Sequence, residues 1–104
     1  PQIKDIPAEL NLNYLEELNL SKANISAQSL YFLLKNSNYL KSLYLDDARL
    51  FNRSIPTLHL HYLELFDASK STINSNVLYA LLIHAQRLKA LNLSETELDL
   101  SSLE

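Results

Sequence analysis

Apolar and polar residues alternate over four short stretches, near 16-21, 41-46, 64-69 and 89-94, and period-2 alternation is the signature of a strand with one buried face. Each stretch follows a leucine, at Leu15, Leu40, Leu63 and Leu88, so four strands are predicted at intervals of 25, 23 and 25 residues. Between the first two, the pattern changes period. Leu30, Leu33 and Leu34 fall at i, i+3 and i+4, and Ser26 stands where an N-cap belongs, which predicts a helix running to about Asn36. Asn74 with Leu78, Leu81 and Leu82 repeats that arrangement up to about Ala85. The connection 51-62 carries Pro56, which removes a backbone donor and holds Ile55 extended, so little or no helix is expected there. Residues 1-14, with Pro7 in the matching place, are expected to behave the same way.

The alternation of 25 and 23 makes a double unit of 48 residues. Shifted by 48, residues 15-50 align with 63-98 without a gap, and 14 of the 36 positions are identical, far above chance. Ile6-Pro7 and Leu10 to Leu15 likewise echo Ile55-Pro56 and Leu58 to Leu63. The chain is therefore expected to be one domain, 1-104, made of a partial repeat 1-14, repeats 15-39, 40-62 and 63-87, and a partial repeat 88-104. Because it starts and stops inside a repeat and has no methionine, a piece of a longer protein is expected.

The eleven-residue segments beginning Leu15-Glu16-Glu17-Leu18-Asn19-Leu20 resemble those of the leucine-rich repeat family, with its consensus L-x-x-L-x-L-x-x-N/C-x-L. The long units are similar to the helix-bearing ribonuclease-inhibitor and F-box types. That resemblance implies an α/β fold: a right-handed leucine-rich repeat solenoid with a short parallel sheet on the concave face and helices or irregular segments on the convex face. Crossover sterics favour the same hand. The ninth consensus position departs from the family. Ala23, Ala48, Ser71 and Thr96 replace the usual Asn or Cys, and losing an amide that would bridge neighbouring backbones predicts less regular loops.

Composition narrows function mainly by exclusion. A net charge of -3 gives no electrostatic reason to expect nucleic acid or an anionic membrane as partner. The longest apolar run is far short of the roughly 20 residues of a spanning helix. With no cysteine there are no disulfides or thiolate metal sites, which fits a reducing, intracellular compartment. With no glycine, turns must be made with Asn, Asp, Ser and Pro.

Candidate chemistry is sparse. His59-x-His61 puts two imidazoles on one face of an extended segment, but a metal site needs three ligands as a rule, and Asn11 and Asn13 occupy the same slots in the earlier unit, so neither metal nor cofactor is expected. His84 ends a helix with no nucleophile paired to it. Asp46, Asp47 and Asp67 could be drawn as a carboxylate cluster, yet nothing in the pattern supplies a pocket to desolvate it, so no enzyme is expected. Sequons at Asn19, Asn24, Asn52 and Asn92 include two that the L-N-L-S strand pattern generates by itself. A row of alternating sign, Lys22, Asp47, Lys70 and Glu95, predicts pairing between adjacent repeats.

The outward positions of the four strands are the expected binding surface. They form three rows: Glu17, Ser42, Leu65 and Ala90; Asn19, Tyr44, Asp67 and Asn92; and Ser21, Asp46, Ser69 and Ser94. Tyr44, flanked by amide and carboxylate, has the composition of a recognition hot spot. The expected function is a protein–protein interaction module or scaffold, its partner another protein offering basic or hydroxyl groups, with self-association through open solenoid ends as a further outcome. The alternative is a structural solenoid segment of a larger multidomain protein, such as a ubiquitin-ligase substrate receptor or pathogen effector.

Overall fold

A computed structural model describes residues 2-3, 12-51 and 55-99. The expectations placed on Ile6, Pro7, Leu10, Asn11, the Asn52 sequon and the remainder after Asp99 lie outside these residues. The fold is α/β, with two parallel sheets and two helices among the described residues. The predicted strands form as β2 (Glu17–Asn19), β4 (Ser42–Tyr44), β6 (Leu65–Asp67) and β8 (Ala90–Asn92), and pair in parallel in that order. Their register places Leu18, Leu43, Phe66 and Leu91 side by side.

A second sheet replaces the irregular segments expected beyond the first. It comprises β1 (Gln2–Ile3), β3 (Asn24–Ser26), β5 (Arg49–Phe51), β7 (Thr72–Asn74) and β9 (Glu97–Asp99), also parallel and also in chain order. Its cause is a second run of period-2 alternation. Ala23, Ile25 and Ala27 are buried while Asn24 is exposed, and Ser71 and Ile73 are buried around half-buried Thr72. The chain thus passes from one sheet to the other and back, each circuit adding one strand to both.

The turns between the sheets are regular, contrary to the expectation drawn from the missing amide. Lys22, Asp47, Lys70 and Glu95 all take positive φ, 66°, 57°, 59° and 57°. Backbone bonds link successive turns: Lys22 N–H donates to Asp46 O at 2.9 Å, Asp47 N–H to Ser69 O at 2.8 Å and Lys70 N–H to Ser94 O at 2.9 Å. The small residues Ala23, Ala48 and Ser71 are buried at these turns, and hydroxyls add to the backbone ladder where the family has an amide: Ser71 Oγ donates to Ala68 O at 2.6 Å within its turn and Thr96 Oγ1 to the same oxygen at 2.8 Å from the next unit.

Helix α1 (Ala27–Lys35) starts where predicted, Ser26 Oγ accepting from Ser29 N–H at 3.0 Å, and buries Leu30, Leu33 and Leu34. Helix α2 (Ser75–Leu82) is capped by Asn74, whose side chain accepts from Asn76 N–H at 2.8 Å. It ends at Leu82 rather than near Ala85, and its buried stripe is Val77, Ala80 and Leu81; of the predicted stripe only Leu81 is buried, with Leu78 and Leu82 half-buried. Val77 and Ala80 lie on the same side as Leu81 and complete a face that leucine spacing alone had rotated. Residues 55-62 form no helix, as expected, and Leu58 N–H bonds Ala80 O at 3.0 Å. The leucine stack is the core: Leu40, Leu43, Leu45, Leu60, Leu63 and Phe66 are all within 1% of fully buried.

Candidate functional site

The outward rows predicted from the sequence are brought together by strand pairing. Glu17, Ser42, Leu65 and Ala90 stand in register, as do Asn19, Tyr44, Asp67 and Asn92. Tyr44, Leu65, Asp67, Ala90 and Asn92 line a shallow pocket of about 220 Å³ on this face. An apolar residue, an aromatic ring and a carboxylate therefore converge between the second, third and fourth strands of the sheet.

Several of the polar residues in these rows have structural partners. Asn19 Oδ1 accepts from Ser21 N–H at 2.9 Å, Asp67 Oδ1 from Ser69 N–H at 2.9 Å, and Asn92 Oδ1 from Ser94 N–H at 3.0 Å. Each closes an Asx-type turn directly after its strand and leads the chain into the positive-φ residue. Ser21 Oγ lies 2.6 Å from both Asn19 Oδ1 and Asp46 Oδ1, and with one proton donates to one or the other, tying adjacent turns together. Ser94 Oγ reaches Asn92 Oδ1 at 2.7 Å. Tyr44, in the same register, has no side chain able to close such a turn. Its ring is half-buried and stands over the pocket.

Charge pairing occurs elsewhere than predicted. Lys22, Asp47, Lys70 and Glu95 are exposed turn residues without salt bridges to one another, because their left-handed backbone directs them into solvent. The ion pairs instead join Lys41 to Glu16 and Lys89 to Glu64, each at 3.9 Å. These four residues also alternate in sign from strand to strand, immediately before the strands, and being largely exposed each pair contributes about 0–1 kcal/mol.

Sequence reasoning missed an aromatic ledge beside that charged row. The residue before each leading leucine is Tyr14, Tyr39, Tyr62 and then Arg87. Tyr39 and Tyr62 have ring centroids 5.3 Å apart, and the Arg87 guanidinium lies 4.6 Å over the Tyr62 ring. With Asn13, Glu16, Lys41 and Glu64 they line a groove of about 390 Å³. Tyr14 is 90% exposed and Tyr39 52%, high values for rings of this size. The readable signal was the recurrence of tyrosine at one phase of the repeat.

No family model, curated protein or solved structure matches the chain. No helix among the described residues is long and apolar enough to cross a membrane.

Proposed function

We propose that the chain is a leucine-rich-repeat-type solenoid segment that binds a partner protein through the outer face of β2, β4, β6 and β8. The observation that carries this reading is the convergence of Tyr44, Leu65 and Asp67 over one pocket, with the tyrosine ledge three residues before the same strands. Aromatic rings, an apolar contact and a few fixed polar groups are the composition of an interface centre, where a small number of residues carry most of the binding energy. Asp46 and Asp67 favour a partner with basic or hydroxyl groups. The asparagine and serine turns keep the surface rigid, so little is lost in ordering it on binding.

A photo-crosslinking residue at position 44, compared with one at exposed Gln28 on α1, tests the location. Crosslinks to another protein from position 44 alone are expected, and loss of capture in Tyr44→Ala/Asp67→Asn with an unchanged circular-dichroism spectrum. Asn closes the same turn at positions 19 and 92, so Asp67→Asn removes charge without removing the turn bond. Capture unchanged in this variant, or equal crosslinking from Gln28, rejects the assignment.

A second reading, extension of a longer solenoid, draws on one observation. Leu91 is 49% and Leu98 44% exposed, although their equivalents Phe66 and Ile73 are fully buried. An apolar end of this kind suits stacking of a further unit.

A further inference from the structure

The rungs of the tyrosine ledge are not equivalent. Tyr39 and Tyr62 have ring centroids 5.3 Å apart, and at the fourth rung, where the repeat places Arg87 instead of a tyrosine, a guanidinium lies 4.6 Å over the Tyr62 ring. Within this one chain, therefore, a guanidinium stands in for the next ring of the row. At the first rung the row is open. Tyr14 is 90% exposed and makes no ring contact among the described residues, and Tyr39, the next in line, is 52% exposed.

We propose that the Tyr14 end of the ledge is a docking site for an arginine side chain of a partner protein. Charge and shape single out that occupant. Tyr14 and Tyr39 border the groove together with Glu16, whose side chain is 68% exposed and meets Lys41 at 3.9 Å, the outer limit of an ion pair. A guanidinium offers a carboxylate two parallel N–H donors and is more weakly hydrated than the Lys41 ammonium, so it takes up Glu16 while its plane lies against a tyrosine ring. The far end of the groove already holds the Arg87 guanidinium, which repels a second one and confines the incoming arginine to the first two rungs.

Both rings and the carboxylate are exposed as they stand, so the site is available without rearrangement. Lysine would meet Glu16 as a point charge, without the planar face that lies on a ring. Citrulline, the uncharged isostere of arginine, would keep the plane and lose the carboxylate pair. The inference rests on the reading of the chain as partner-binding and adds a contact of stated chemistry at a separate place, because the groove and the Tyr44 pocket share no lining residue.

The probe is Nα-acetyl-arginine methylamide, titrated into the full chain and followed by NMR at the aromatic ¹³C–¹H resonances of the six tyrosines. Saturable binding in the millimolar range is expected, shifting Tyr14 and Tyr39 most, with the lysine and citrulline counterparts weaker. Tyr14→Ala and Glu16→Gln alter exposed side chains and should each weaken binding roughly two- to fivefold. The same arginine within a Gly-Ser peptide should bind at least as well, and a peptide that fails to bind excludes a protein as its source. Tyr44→Ala/Asp67→Asn should bind the probe as the wild type does, so failure of partner capture through Tyr44 leaves these shifts in place and the two assignments fall separately. Absence of saturation, shifts centred on Tyr44, equal affinity for the lysine or citrulline probe, or unchanged affinity in both Tyr14→Ala and Glu16→Gln overturns the proposal.

Discussion

Lys22, Asp47, Lys70 and Glu95 carry the turns of a chain that contains no glycine, and each sits in the left-handed region where a Cβ is unfavourable. That conformation costs about 1–2 kcal/mol for a residue with a side chain, whereas glycine adopts it freely but loses about 0.5–1 kcal/mol of unfolded-state entropy. Lys70→Gly should therefore stabilise by about 0.5–1 kcal/mol in urea unfolding, and Lys70→Val, β-branched in the same place, should destabilise by more than about 1 kcal/mol. Equal midpoints for the two variants would mean that the turn relaxes when its side chain changes. At this scale the candidate site was only partly legible. Asn19, Asp67 and Asn92 read as surface polar groups, but serine two residues later in each case was the mark of a side chain closing its own turn. Residue type does not distinguish a solvent-facing amide from a turn-closing one; spacing does. Tyr44 was legible because no turn has a use for it.

The strands of the first sheet and both helix starts follow from period alone, since alternation at 2 and spacing at 3 and 4 are set by backbone geometry before any tertiary contact forms. The second sheet was harder to see. Its strands are three residues long at most, and β3 and β7 contain a single large buried side chain each, Ile25 and Ile73, which is too little alternation to separate from loop without the pairing partners. Packing between strands also resolves an irregularity in the pattern. Where β4 and its following residue place Leu43 and Leu45 in the core, the next circuit places Phe66 and Ala68, and all four are fully buried. A larger side chain at one position is offset by a smaller one two residues on. Phe66→Leu should open a void and Ala68→Leu should overpack, each costing about 1–3 kcal/mol, while the double variant restores the Leu-x-Leu arrangement. Its cost should fall below the sum of the singles by about 1 kcal/mol in a denaturation cycle. Strict additivity would show that the two positions do not share a volume.

Over the whole molecule, burial is complete in the middle and declines toward β8 and β9. Leu43 and Phe66 are fully buried in the first sheet but Leu91, next in register, is 49% exposed; in the second sheet Ile73 is fully buried but Leu98 is 44% exposed. Nothing in the sequence marks this difference, because Leu88 to Leu98 carries the same pattern as Leu40 to Leu50. Exposure depends on whether a neighbouring circuit lies against the residue, and pattern does not record neighbours. In a structure built by adding one strand to each sheet per circuit, stability is close to a sum of units and nearest-neighbour interfaces, so the least enclosed circuit opens first. Leu43→Ala should cost about 2–5 kcal/mol, as expected for a fully enclosed leucine, and Leu91→Ala less than about 1 kcal/mol. Native-state hydrogen exchange gives the same ordering by a second route. The Lys89 and Ala90 amides bond Glu64 O at 2.8 and 3.0 Å, while the Leu45 and Glu64 amides bond Asp67 O and Lys41 O at 2.7 and 2.8 Å. These bonds are of similar length, so geometry alone predicts similar protection. Faster exchange at Lys89 and Ala90 than at Leu45 and Glu64, by an opening free energy below the global value, would therefore report the lower burial around β8 rather than weaker bonds. Uniform protection across the four amides would show that β8 opens only with the whole, and that its exposed leucines carry no penalty in cooperativity.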